Sequence, residues 1–273
     1  MYIRRFYQDS DKILNKLYNQ QYFLNEDINK NGFSHIKGKV SNELLLKIEE
    51  VIFNFEKEIK WVSLSQNQPK VGTVVYPTKQ ATYNPAKTFA NVDKKFNNGK
   101  RRLSFSSKDH IKHLFGDQIF DFFNTLLTTL NISNEHNLYR AVYEEIDPSD
   151  ITHIGWHVDG NIPYLKVMLL LDKVDRDTAP MKILKASNKL KSYYELRKKL
   201  MIKGQINIFQ DLDDNPSDYY LCTGSRGDLI IFDTRSLHSG STSKELTRKS
   251  LTLSYIPTNQ KAIKDYNNVA YDN

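Results

Sequence analysis

The sequence predicts an α+β protein whose sheet closes into a sandwich or barrel. Two observations predict it. Helical apolar periodicity is confined to the chain before residue 138, and short apolar runs separated by turn sequences fill residues 138–257. Length is a third. With 273 residues, 39% of them hydrophobic, the chain has material for one large β-rich core. A single domain over 1–273 is therefore expected, with a helical half (1–137), a β core (138–257) and a tail (258–273).

The elements follow in order. "GFSHIKGKV" (32–40) reads as a short strand with a turn at Gly38, and Ser41 as the N-cap of a helix reaching about Ile59. Leu45, Ile48, Ile52, Phe55 and Ile59 recur at three- and four-residue spacing and make one apolar face. Residues 62–108 are polar, hold Pro69, Pro77 and Pro85, and show no sustained period. So long an irregular stretch is expected to be a lid or binding segment. A second amphipathic helix follows over 109–130, with Ile111, Leu114, Phe115, Ile119, Phe122, Phe123, Leu126 and Leu130 on its buried side. Then "LYRAVYEEI" (138–146), "YLKVMLLLDKV" (164–174), "DLIIFD" (228–233) and the alternating "SLTLSYI" (250–256) read as strands. The turns Asp147-Pro148-Ser149-Asp150 and Gly224-Ser225-Arg226-Gly227 precede two of the later segments. Between strands, residues 188–203 read as a helical insertion carrying Lys189, Lys191, Arg197, Lys198, Lys199 and Lys203.

The net charge of +7 fits a solvated lysine-rich surface, with an acidic partner or nucleic acid as the alternative. Cys222 is the lone cysteine, so no intramolecular disulfide forms, which fits a reducing compartment. The charged first residues are followed by no apolar run, and no stretch reaches the length of a membrane span. A cytoplasmic protein without a signal peptide is expected.

"GWHVDG" (155–160) sets His157 and Asp159 two residues apart, on one side of an extended backbone. Alone, the pair does not establish a metal site, since a shared turn is the commoner reason for such a triplet. A metal site needs a third ligand, and His238 in "GDLIIFDTRSLHSGS" (227–241) lies just past a buried-looking strand, where a barrel rim would put it. Arg248 follows in "TRKSLTLSYI", where its fork can bind a carboxylate, and Ser250 faces the same way. His153 and His157 would make a zinc pair on a helix, but Gly155 argues against one. His35, His110, His113 and His136 have no supporting pattern.

The order His157-x-Asp159, His238, Arg248-x-Ser250 resembles the Fe(II)- and 2-oxoglutarate-dependent oxygenases, and among them the phytanoyl-CoA dioxygenase family. "NGFSHIKGKVSNELLLKIEEVI" (31–52) is similar to that family's opening strand and helix. "TAPMKILKASNK" (178–189) resembles its Gly-Pro-x-x-x-x-Pro-Gly-Ser-His segment, and 227–241 its third-ligand segment. The resemblance covers about residues 31–55 and 138–257 and leaves 56–137 unmatched. Ala179 departs from a glycine, and Lys185-Ala186-Ser187-Asn188 departs from Pro-Gly-Ser-His. Gly240 stands where many relatives have a co-substrate serine, for which Ser239, Ser241 or Ser250 would substitute.

The resemblance implies a double-stranded β-helix core, jelly-roll or cupin-like, with the N-terminal helices packed on its sheet. It implies that His157, Asp159 and His238 bind Fe(II) and form the catalytic centre, and that Arg248 and Ser250 bind the distal carboxylate of 2-oxoglutarate. Lys166 lies near where relatives place co-substrate contacts. With O2 the reaction is hydroxylation of an unactivated C–H bond, or desaturation, with release of succinate and CO2. A carboxylate at Asp159 argues against halogenation, which needs a small residue there. The expected substrate is a small molecule, anionic or amino-acid-like. Its contacts would come from Tyr143 and Glu145, which share a strand face, and from Arg101 and Arg102 at the lid. Two other readings stand beside this one. The first is a nucleic-acid or protein hydroxylase or demethylase, although Arg248, Ser250, Thr252 and Ser254 lack the second arginine of the demethylase pattern. The second is a non-catalytic β-barrel binding protein. No protein partner is implied.

Overall fold

The computed structural model describes residues 23–58, 88–92, 100–105, 108–146, 156–159, 164–189, 208–209, 216–240 and 246–258. Helix α1 (Glu26–Asn31) is capped by Asn25, whose Oδ1 accepts from the Ile28 N–H at 3.1 Å. It stops at Gly32 in the left-handed conformation (φ 87°), where a Cβ would meet Ser236 Oγ at 2.3 Å. The sequence reading held no helix here. Helix α2 (Asn42–Glu58) begins as expected at Ser41, whose Oγ accepts from the Leu44 N–H, and buries Leu45, Ile48, Ile52 and Phe55. Helix α3 (Lys108–Thr129) corrects the single helix expected at 109–130. It breaks at Gly116, whose φ of 72° only glycine adopts without strain.

Twelve described strands form two antiparallel sheets. They are β1 (Phe33–Ile36), β2 (Thr88–Val92), β3 (Lys100–Phe105), β4 (His136–Ile146), β5 (Trp156–His157), β6 (Leu165–Leu170), β7 (Lys182–Leu184), β8 (Ile208–Phe209), β9 (Tyr219–Leu221), β10 (Leu229–Asp233), β11 (His238–Ser239) and β12 (Arg248–Pro257). The large sheet runs β1-β10-β6-β12-β4-β3-β2 and the small one β8-β5-β11-β7-β9. Strands β2 and β3 fall inside the expected lid, so that stretch contributes the last two strands of the large sheet, β3 beside β4 and β2 at the edge. The rest of 62–108, residues 190–203 of the expected insertion and the tail from 259 lie outside the described residues.

Strand alternation divides the large sheet into two faces. Leu165, Val167 and Leu169 of β6, Leu229 and Ile231 of β10, and Leu251, Leu253 and Tyr255 of β12 pack against the buried faces of α2 and α3. Met168, Leu170, Ile230 and Phe232, from the alternate positions, pack instead with Ile183 and Tyr220 of the small sheet. The helices thus cover one face and the small sheet the other, an arrangement consistent with a jelly-roll core. No helix among the described residues is long and apolar enough to cross a membrane.

Candidate functional site

His157 and His238 are direct cross-strand partners of β5 and β11, with ring centroids 4.3 Å apart. Asp159 follows β5, and its N–H donates to the Thr234 carbonyl at 3.3 Å, which ties the turn to the loop after β10. Its Oδ1 lies 3.7 Å from His157 Nε2 and its Oδ2 3.1 Å from His238 Nε2. One donor atom from each residue falls within 4.8 Å of the others, a grouping able to hold a metal ion. The loop from Asp233 to Leu237 aims His238. Arg235 binds the buried Asp233 carboxylate through Nε and, at 2.6 Å, through an Nη. The Leu237 N–H donates to Ser187 Oγ at 2.8 Å.

His238 Nδ1 lies 2.9 Å from the Ser236 carbonyl, which can only accept. Nδ1 therefore carries a proton, and Nε2 is the nitrogen turned toward Asp159, 3.1 Å from its Oδ2. Burial raises the Asp159 pKa, but the charges and hydrogen bonds of His238 and Lys166 outweigh it and hold the carboxyl well below the usual range. The cluster is an anionic, nitrogen-and-oxygen donor set of the kind that suits iron.

Arg248 is buried at the start of β12. Its Nη1 donates to the Ala179 carbonyl at 2.5 Å, and its Nη2 lies 3.8 Å from Glu144. Ser250 shares this face, opposite Glu144 in register; its Oγ is fully buried and has no hydrogen-bond partner among the described residues. An orphaned hydroxyl beside a fixed guanidinium fits a carboxylate from outside the chain.

The other expected residues are distributed differently. Lys166 lies opposite Ser254, six positions along β12 from Arg248, and its Nζ reaches Asp159 Oδ2 at 2.5 Å. It therefore belongs with the acid, and the structure does not bring it to Arg248. Tyr143 and Glu145 do share a face, but Tyr143 packs in the cluster under the helices, and its hydroxyl donates to Glu145 at 3.0 Å. Strand alternation gives the site side to Glu144, which the sequence reading passed over. Register sets Arg101 opposite Glu145 and Arg102 opposite Glu144; their side chains are outside the described set. His153 and Ser241 also lie outside it, and Ser239 Oγ donates to the Gly240 carbonyl. His35 is held by Asp228 and Tyr220, and His136 by Ser133.

Tyr139 was missed altogether. It sits at a bulge in β4, where the register slips between Ser254 and Tyr255, and it shares a hydrogen bond with Ser254. Its ring lies 5.7 Å from Tyr164, and burial first, then the charge of Asp159, pushes its hydroxyl pKa up. Nothing in the sequence marks a bulge at that position.

No protein-family model matches the chain, and no curated protein matches it by sequence. Solved structures do match by fold. EvdO2 from Micromonospora carbonacea var. aurantiaca, complexed with 2-oxoglutarate, superposes with a TM-score of 0.53 at 11% identity, over 85% of this chain and 89% of its own. SnoK, a non-heme α-ketoglutarate-dependent carbocyclase from nogalamycin biosynthesis, gives 0.52 at 10% identity, over 85% and 82%. HygX from Streptomyces hygroscopicus, with nickel and 2-oxoglutarate bound, gives 0.50 at 11% identity, over 85% of both chains. At such identities the likeness establishes a shared fold: this chain is built as EvdO2, SnoK and HygX are built.

Proposed function

We propose that the protein is an Fe(II)- and 2-oxoglutarate-dependent dioxygenase that hydroxylates a small molecule, with a double-stranded β-helix core and the motifs of the phytanoyl-CoA dioxygenase family. The observation that carries the reading is the convergence of His157, Asp159 and His238 within 4.8 Å. These three would hold the metal by two imidazole nitrogens and one carboxylate oxygen. Arg248 and Ser250 would take the distal carboxylate of the co-substrate, the first by its fork and the second by its orphaned hydroxyl. Bound there, iron would activate O2 with 2-oxoglutarate as the electron donor, one oxygen atom going to succinate and the other to the substrate, with release of CO2. The chain's own work is to orient: Ser236 fixes the His238 ring, and the Ala179 carbonyl and Glu144 fix the guanidinium. The 2-oxoglutarate held by EvdO2 and HygX on the same fold supports this reading. The carbocyclase SnoK supports a natural-product-sized substrate, and the single buried Cys222 fits work in the cytoplasm.

Metal analysis with succinate assays tests the proposal. The purified protein should bind one Fe(II), show a weak visible charge-transfer band with 2-oxoglutarate under anaerobic conditions, and release succinate in air. Asp159→Ala should lose the band and at least about 100-fold of the succinate rate. A wild-type protein without the band, or an Asp159→Ala variant that keeps both properties, overturns it.

A further inference from the structure

We infer that Lys166 is a positioning residue for Asp159: its ammonium holds one carboxylate oxygen, so that a bound metal receives only the other. The inference rests on the metal reading above. Lys166 is the one charged residue of β6, whose other positions are all buried, so packing does not call for a cation there. Its Nζ lies 2.5 Å from Asp159 Oδ2, the oxygen that also lies 3.1 Å from His238 Nε2, while His157 Nε2 approaches Oδ1 at 3.7 Å, so Oδ1 is the oxygen left clear of the ammonium. The neighbouring strand β10 sets Phe232 opposite Lys166, and the Phe232 ring lies 5.1 Å from the His238 ring. Lys166 thus stands beside the histidine pair, six positions along β12 from Arg248.

The chemistry gives this contact a consequence. A carboxylate can offer a divalent ion one oxygen or both. Two histidines and a one-oxygen aspartate leave about three positions open on an octahedral ion, enough for a chelating co-substrate and O2. A two-oxygen aspartate closes one of them. An ammonium on one oxygen opposes that closure, because it competes for the oxygen's lone pairs and repels the ion from that side.

Mn(II) serves as the probe, with bound exchangeable water counted by proton relaxation and 2-oxoglutarate affinity measured by anaerobic titration. The wild type should hold about three exchangeable waters, Lys166→Met about two with about 10-fold weaker 2-oxoglutarate binding, and Lys166→Arg should restore both. A Lys166→Met protein with the wild-type water count overturns the inference. Unchanged 2-oxoglutarate affinity then means that Lys166 is a surface charge, and weakened affinity that it contacts the co-substrate directly. A wild type that binds no Mn(II) brings down the metal reading itself, and this inference with it.

Discussion

The two faces of the large sheet are made by the same strands and do different work. On β12, Leu251, Leu253 and Tyr255 are buried against the helices, and Arg248, Ser250 and Ser254 are buried on the other side. Both sets are out of water, so burial alone does not separate stability from chemistry. Their hydrogen bonding does. The Tyr255 hydroxyl is satisfied within the fold, donating to the Phe123 carbonyl at 2.6 Å. Across the sheet, Ser250 Oγ is left without a partner among the described residues, and His157, Asp159 and His238 gather donor atoms within 4.8 Å of one another. One face completes its bonds from within; the other is complete only with something added.

That contrast can be broken from either side. The largest effect should come from the helix face. Leu253→Ala removes a buried side chain from the packed cluster and should cost about 2–5 kcal/mol of stability in urea unfolding. The molecules that remain folded should bind Mn(II) with wild-type affinity. A loss of metal affinity in the folded fraction would show that the two faces are mechanically coupled.

The second effect comes from a polar residue on the apolar side. His110 lies edge-on to Phe105, ring centroids 5.7 Å apart, and burial first, then the charge of His113, lowers its pKa to about 4. The unfolded chain takes up this proton near 6.5, the folded protein only near 4. Stability should therefore be full above pH 6.5 and fall as the pH drops toward 4, by about 3 kcal/mol in all. Urea midpoints at a series of pH values should show the fall, and His110→Gln should flatten it.

Ser250→Ala comes next and separates the faces most cleanly. Removing a buried hydroxyl that has no partner among the described residues should leave stability unchanged or slightly raised. The same change removes a hydrogen bond to an ionised carboxylate, worth about 1.5–3 kcal/mol, so the KM for 2-oxoglutarate should rise roughly 10-fold or more. Loss of stability with an unchanged KM would move Ser250 from the site to the core.

What was legible in the sequence follows the same division. His157, Asp159, His238 and Arg248 could be singled out because chain order and strand ends are local features, and the structure does bring the first three together. Alternation was legible too, since Tyr143 and Glu145 share a face. Which face that was depends on where the helices pack, a tertiary fact, and so Glu144 was passed over. Strands β2 and β3 escaped notice because strands near the end of a sheet, such as "TFANV" and "KRRLSF", carry polar residues at positions a central strand would keep apolar. The bulge at Tyr139 and the reach of Lys166 to Asp159 depend on register between distant segments, which a single sequence does not encode locally.

The smallest predicted effect tests the motif alignment itself. Ala179 and Ala186 stand where the phytanoyl-CoA dioxygenase pattern has glycine, and both hold positive φ, 54° and 55°. Left-handed backbone costs an L-residue about 1–2 kcal/mol, which glycine relieves, but glycine's greater freedom in the unfolded chain takes back about 0.4–1 kcal/mol of that gain. Ala179 is fully buried, so losing its methyl costs about 0.8 kcal/mol more and cancels the gain. Ala186 is only half-buried and keeps it. Ala186→Gly should therefore raise stability by up to about 1 kcal/mol, and Ala179→Gly should leave it near zero. The Ala179 carbonyl also accepts from Arg248, so a looser backbone there should weaken 2-oxoglutarate binding with no change in unfolding midpoint. If Ala186→Gly destabilises the protein, the left-handed turn at 186 is wrong, and with it the match of 178–189 to the glycine-bearing segment.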